Sequence, residues 1–264
     1  MIKLIASDVD GTLVKESTPV ISQELIQVIQ KLTDQGIYFA VASGRKYGSI
    51  EKMFSPVKRN LIYIAENGAH IHKDGKDFSV TPMNRRHVEE IIQNLREYYP
   101  DVHVTASTRE GYLVESREES FWNLLRHGYN SEISVVDDIL SQEAEIIKVS
   151  AYREGSIREL GEGILIPRWQ DSVKTCMAGE TWVDFMDATV DKGAALTILQ
   201  KELNVQWEET MAFGDNDNDV GLMMAAGSSY AVENAVEAVK QKARYMCPSY
   251  QEMGVYQILK TLVE

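Results

Sequence analysis

The chain has 264 residues, 44% hydrophobic and 25% charged, the composition of a globular protein long enough for one large domain or two smaller ones. Asp and Glu outnumber Lys and Arg by 40 to 27, and the net charge of −13 repels a polyphosphate backbone or an anionic membrane surface. Nucleic acid and membrane partners are therefore not expected. Two cysteines, Cys176 and Cys247, are too few for a disulfide framework and read as small buried apolar residues in a reducing cytoplasm. The N-terminal "MIKLIASDVDG" meets Asp8 too early for a signal-peptide core. Runs such as "IYFAVA" fall far short of the roughly 20 apolar residues that span a bilayer.

An apolar run from Lys3 to Ala6 leads into "SDVDGTL", a buried strand ending in a glycine-containing turn. Residues 22–35 carry Leu25, Ile26, Val28, Ile29 and Leu32 near helical spacing, with Gly36 as the stop. "IYFAVAS" and "LIYIAENGA" follow as strands, so strand, helix and strand make a βαβ unit and a parallel sheet. The rhythm returns near the C-terminus: "KGAALTILQKEL" is helical, "TMAFGD" a strand, "DVGLMMAAG" helical, "SYAV" a strand, with helices in "AVEAVKQKA" and "VYQILKTLV". Between Pro82 and Met186 the alternating stretches "VHVTAS", "GYLVES", "SEISVV" and "EIIKVSAY" predict antiparallel strands with helices between them. The expected architecture is α/β: a Rossmann-like parallel-sheet core, residues 1–81 plus 187–264, with an α+β domain inserted at 82–186.

Two acidic clusters stand at strand ends. In "DVDGT", Asp8 and Asp10 project to one side of the departing chain, their α-carbons about 6.6 Å apart at ~3.3 Å per residue. Such a pair can set one carboxylate against an electrophile and the other beside a leaving oxygen, although Asp and Gly also make ordinary turns. "DNDND" at 215–219 imitates the start of an EF-hand loop. Val220 then stands where glycine is needed and Ala226 where a bidentate Glu is needed, which rejects that reading. A solvated turn remains open. The flanking strand and helix place the cluster at the carboxyl end of a parallel sheet, where open α/β folds bind ligands. If Asp8 shares that edge, the clusters can converge on one hard cation, most naturally Mg²⁺. Ser43, in "VASGR", ends another strand and can donate to an anion. Lys192, in "DKGAAL", opens a helix, where ammonium and helix N-terminus both favour phosphate.

In order and strand-end context, "DVDGTL", "ASGR", "DKGAAL" and "GDNDND" resemble the four motifs of the haloacid dehalogenase superfamily, most closely its Cof-type phosphatases. "AENGA" and "MGV" at 253–255 resemble further Cof-type landmarks, and residues 82–186 resemble that family's cap by position and length. The resemblance implies Asp8 as the nucleophile that forms an aspartyl-phosphate, and Asp10 as acid toward the leaving alcohol and then base toward water. It implies Mg²⁺ held by Asp8, the main-chain carbonyl of Asp10 and Asp215, with Asp219 behind them. Ser43, Gly44, Arg45, Lys192 and Asn218 fall to phosphate and substrate binding. The expected activity is a Mg²⁺-dependent phosphatase acting on a small phosphorylated metabolite, with sugar phosphates the family-level expectation and flavin mononucleotide or pyridoxal phosphate open. A phosphomutase shares the constellation, and a non-catalytic protein on the same fold is the alternative from another class.

Other residues have plainer readings. Met223, Met224, Trp182 and Phe185 are expected in packing, and Asn216 and Asp217 in a turn. Arg45 has an ordinary surface salt bridge as its alternative to substrate contact. The five histidines, at 70, 72, 87, 103 and 127, show no HxxxH spacing, which argues against a histidine metal site. No GxxxxGK[ST] loop occurs, and "GEGILIP" lacks the last glycine of GxGxxG.

Overall fold

The computed structural model of the chain describes residues 1–15 and 18–263; the expected core boundary at Glu264 lies outside them. The chain divides into two compact units, Met1–Ser79 with Asp191–Glu264, and Val80–Val190. The first unit opens with β1 (Leu4–Ser7), α1 (Gln23–Asp34), β2 (Tyr38–Ala42), α2 (Tyr47–Met53), β3 (Leu61–Ala65), β4 (His70–Lys73) and β5 (Lys76–Val80). The second comprises α3 (Arg85–Tyr98), β6 (His103–Ser107), β7 (Tyr112–Val114), α4 (Glu119–Asn123), β8 (Ile133–Val135), β9 (Lys148–Tyr152), α5 (Arg158–Leu160), α6 (Ile166–Trp169), β10 (Lys174–Ala178) and β11 (Trp182–Met186). The chain returns to the first unit through α7 (Lys192–Leu203), β12 (Thr210–Gly214), α8 (Val220–Ala225), β13 (Ser228–Val232), α9 (Glu237–Lys242), β14 (Tyr245–Cys247) and α10 (Gly254–Lys260). No helix among the described residues is long and apolar enough to cross a membrane.

The first unit is built on an eight-stranded sheet in the order β14-β13-β12-β1-β2-β3-β4-β5. Its six strands from β14 to β3 run parallel, and β4 joins antiparallel to β3. All four residues of β1 and all five of β12 are buried, as central strands covered on both faces must be. Leu25, Val28, Ile29 and Leu32 of α1 supply one apolar stripe to the cover, and Ser22 caps that helix by accepting from the Leu25 amide. Central β1 is flanked by β2 and β12, so the carboxyl ends of three neighbouring parallel strands open on one edge.

The second unit holds a six-stranded sheet, β10-β11-β9-β6-β7-β8. Its strands pair antiparallel except for β8, which runs parallel to β7, a departure from the all-antiparallel expectation. The reason is the connection: residues 115–132, with α4 and a wide helical turn at 124–128, are long enough to carry the chain back and start β8 in the same direction. One sheet face packs Val149, Ala151, Val183 and Phe185 against Val88, Ile91, Ile92 and Leu95 of α3. Strand alternation places Lys148, Ser150 and Asp184 on the other face, where Asp184 accepts from Lys148 Nζ at 3.0 Å and Ser150 Oγ at 2.6 Å. Trp182 and Phe185 pack as expected, and Met223 is buried, but Met224 is 63% exposed. The two methionines are adjacent on α8, so one faces the core while the other points away.

Candidate active site

Every residue singled out as a candidate lies in the first unit. Asp8 follows β1 directly, and its amide donates to Phe213 O of β12 at 3.0 Å, which locks the start of the acidic loop beside the strand that leads to the other. Gly11 takes φ +85° as the chain turns, and a β-carbon there would collide with the Asp215 carboxylate. Thr12 Oγ1 donates to Asp215 Oδ1 at 2.9 Å, and Asn234 Nδ2 donates to Gly11 O at 2.8 Å. The two loops interlock because the glycine leaves room for it. Gly11→Ala is expected to cost about 1 kcal/mol or more of stability from the left-handed backbone and collision. It should also lower kcat at saturating metal at least about tenfold by displacing Asp215, measured by steady-state kinetics beside thermal unfolding.

Lys192 begins α7, whose N-cap Asp191 accepts from the amides of Gly193 and Ala194. The helix approaches α8 so closely that a β-carbon on Gly193 would overlap the Gly221 backbone, and this brings Lys192 inward. Its ammonium, fully buried, donates to Asp8 Oδ1 and Asp219 Oδ1, each at 2.6 Å. Asp219 is fully buried too; its other oxygen accepts from the amides of Asp215 and Asn216 at 3.0 and 3.1 Å. Asn216 and Asp217 shape the turn, with Asp217 exposed.

Ser43 follows β2, is buried, and accepts at Oγ from the Arg45 amide at 3.1 Å. The loop is laced to residues 66–67, with Asn67 N donating to Ser43 O and Glu66 N to Arg45 O, each at 3.0 Å. Asn67, at φ +57°, lays its carboxamide against Gly44 and accepts from Asn218 Nδ2 at 2.8 Å. Asn67 thus connects the serine loop to the DNDND loop. In "AENGA" it stood only as a landmark; the usable signal was an Asn before Gly, a pair that tolerates positive φ. Arg45 is buried, not on the surface as its alternative reading had it. It grips Asp10 with both prongs, Nε to Oδ2 at 2.7 Å and Nη2 to Oδ1 at 2.6 Å, and also donates to Thr18 O.

Charge in the site is unbalanced. Oxygens of Asp8, Asp215 and Asp219 lie within 4.8 Å of one another, and the buried Asp8 Oδ2 has no hydrogen-bond partner among the described residues. Burial, then the charge of Asp219, pushes the Asp8 carboxyl well above the ordinary value, against the pull of Lys192. Burial and Asp219 push Asp215 up to about 7. Burial would lower the Lys192 ammonium, but Asp219 and Asp8 carry it above its usual value. Three carboxylates around one ammonium, with an unused oxygen between them, fit a divalent cation.

A pH dependence follows. Between the ordinary carboxylate value of 3.8 and about 7, the folded protein holds a proton at Asp215 that the unfolded chain has lost. Stability of the metal-free protein should therefore fall as pH rises through that window. At 1.36 kcal/mol per pKa unit the contribution is on the order of 4 kcal/mol. Urea unfolding from pH 4.5 to 7.5 in chelator should show the slope, Asp215→Asn should make it shallower while leaving the part due to Asp8, and Mg²⁺ should restore stability mainly at the upper end.

Acids at the carboxyl ends of the neighbouring parallel strands β1 and β12 are thus bridged by a buried lysine. The chain belongs to the haloacid dehalogenase-like hydrolases, whose family model matches residues 5–259, and is an enzyme of that family's phosphatase type. It is similar to 5-amino-6-(5-phospho-D-ribitylamino)uracil phosphatase YbjI of Escherichia coli, at 25% identity over 100% of this chain and 97% of that protein. Likeness to the phosphatase YitU of Bacillus subtilis, which bears the same activity name, is 26% over 97% of this chain and 96% of the other. Among solved structures, one from Eubacterium rectale is 35% identical with a TM-score of 0.87, covering 99% of each chain. TM0651 from Thermotoga maritima is 28% identical with a TM-score of 0.81, over 99% of this chain and 97% of that one.

Proposed function

We propose that the chain is a cytoplasmic, Mg²⁺-dependent phosphatase that hydrolyses a small phosphorylated metabolite through an aspartyl-phosphate on Asp8. The observation that carries this reading is the Asp8 carboxylate itself: one oxygen is tied to Lys192, and the other is buried without a partner beside Asp215 and Asp219. Asp8, the main-chain carbonyl of Asp10 and Asp215 would hold the cation, which when bound offsets the repulsion between carboxylate and phosphate. An Asp8 oxygen attacks phosphorus as the bond to the leaving oxygen breaks, and Asp10 delivers a proton to the leaving alcohol. Water then attacks the phosphorus of the aspartyl-phosphate, Asp10 takes its proton, and phosphate leaves with Asp8 restored. Ser43, the Gly44 amide, Lys192 and Asn218 bind the phosphoryl oxygens, and Asp219 holds Lys192 and the 215–216 amides in place. Because Arg45 occupies both oxygens of Asp10, that carboxyl must leave the guanidinium fork before it can serve the leaving group.

The second unit would act as the cap that sets selectivity. Relatives named for a ribityl phosphate support a phosphate carried on a polyol or sugar as the substrate class. The test is a panel of sugar phosphates, 5-amino-6-(5-phospho-D-ribitylamino)uracil, flavin mononucleotide and pyridoxal phosphate, assayed for phosphate release with and without Mg²⁺. Release from at least one compound, dependent on divalent metal, is expected. No release under any divalent ion, or conversion of a sugar phosphate into its isomer in place of release, would overturn the reading.

A further inference from the structure

The hairpin β4–β5 gathers two histidines and an aspartate away from the acidic site. Its turn residues, Asp74 and Gly75, take φ of +53° and +74°, the pair of positive values that closes a two-residue type I′ hairpin. Such a turn pairs Lys73 with Lys76 and sets Asp77 across from His72. Alternate strand positions share a face, so His70 comes to the same side. His70 Nε2 lies 2.7 Å and His72 Nδ1 3.1 Å from one oxygen, Asp77 Oδ1. Both rings are buried, whereas Asp77 is exposed, so the cluster is rigid on one side and open to water on the other. Tyr47 stacks on His72, ring centroids 3.8 Å apart and planes 22° from parallel, which fixes the ring's orientation. Burial alone would raise the Asp77 carboxyl, but hydrogen bonds from both imidazoles bring it below its ordinary value and keep it anionic.

We propose that His70, His72 and Asp77 form a second metal site, one that takes a nitrogen-preferring divalent ion such as Zn²⁺. Two imidazoles and a carboxylate with room for water make a three-ligand set for such an ion, whereas an all-oxygen set suits Mg²⁺. Metal–ligand bonds of about 2.0–2.2 Å place neighbouring donors roughly 2.9–3.4 Å apart, so the two contacts with Asp77, at 2.7 and 3.1 Å, need open by only a few tenths of an ångström, and the two ring nitrogens already lie within 4.8 Å of each other. To bind the ion, each ring must turn a lone pair inward and carry its proton on the outer nitrogen. For His72 the outer nitrogen is Nε2, buried without a partner among the described residues. A ligand lacking that outer hydrogen bond loses about 10–100-fold in affinity, so this site should bind more weakly than one whose histidines are both held from behind. The bound ion would staple β5 to β4 just before the chain leaves the first unit at Ser79. The expectation from HxxxH spacing missed the cluster because that pattern belongs to a helix; on a strand the equivalent is HxH facing a residue across the turn.

The test is Co²⁺ titration of chelator-stripped protein in excess Mg²⁺, read by visible absorption. Wild-type protein and Asp215→Asn should each take one equivalent of Co²⁺ with the intense bands of a four- or five-coordinate nitrogen-containing site. His72→Ala and the conservative Asp77→Asn should raise Kd at least tenfold while retaining the circular dichroism and Mg²⁺-dependent phosphate release of wild type. With Zn²⁺, the ring proton resonances of His70 and His72 should shift and the melting temperature rise by several degrees in wild type and Asp215→Asn, and the melting temperature should not rise in His72→Ala or Asp77→Asn. Bands that survive in both His72→Ala and Asp77→Asn, bands lost in Asp215→Asn, or no bands in wild type would each overturn the proposal. Loss of phosphate release in Asp215→Asn alone would leave this outcome unaffected.

Discussion

Asp8→Asn should lower the rate of phosphate release by about 10⁴-fold or more at saturating substrate and metal, the loss expected when an essential nucleophile is removed. The amide oxygen can still accept from Lys192, so the ammonium keeps its contacts with positions 8 and 219. Folding should not suffer. Asp8 is buried beside Asp215 and Asp219, and burial with their charge raises its carboxyl well above the ordinary value; a neutral amide removes that repulsion. In metal-free protein near neutral pH the variant should therefore unfold at equal or higher denaturant than wild type. Chemistry and stability move in opposite directions only if Asp8 is a reactive group and not a structural one. Full activity in Asp8→Asn would sink the aspartyl-phosphate mechanism, measured by phosphate release and by trapping of labelled phosphate on the protein.

Lys192→Met should destroy activity and weaken the fold together. The ammonium is the common partner of two buried carboxylates, and a partner left alone in that environment typically costs 3–5 kcal/mol. Loss of the same charge from the phosphoryl site should reduce kcat/KM by about 10³-fold or more. The two effects separate in a double variant. Adding Asp219→Asn to Lys192→Met removes one uncompensated charge, so denaturant midpoints should recover in part while activity stays lost. If the single variant were as stable as wild type, the charge balance inferred for this cluster would be wrong.

The secondary structure around these residues was legible from short patterns. "KGAALTILQKEL" is α7 to the residue, and the strand in "TMAFGD" is β12 less its last aspartate. Such segments are legible because burial demands apolar side chains at a fixed period, while capping and turn residues mark the ends. The parallel pairing of β7 with β8 was not, since alternation records which face is buried and says nothing of strand direction. Met224 was misplaced for a related reason: an apolar residue in a short helix need not lie on its covered face.

By itself the sequence determined the parallel-sheet core, the order of its motifs and the acids at the ends of β1 and β12, because each rests on local chemistry or a repeating pattern. Only the tertiary structure decided which side chains meet. Lys192 between Asp8 and Asp219, Arg45 on Asp10, Asn67 joining Gly44 to Asn218, and His70 with His72 on Asp77 are contacts of specific distance. Most of them connect residues far apart in the chain, set by close approaches such as Gly193 against Gly221 that no residue's own preference encodes. Propensity and period act over a few residues, whereas a site is assembled by packing across the whole sheet.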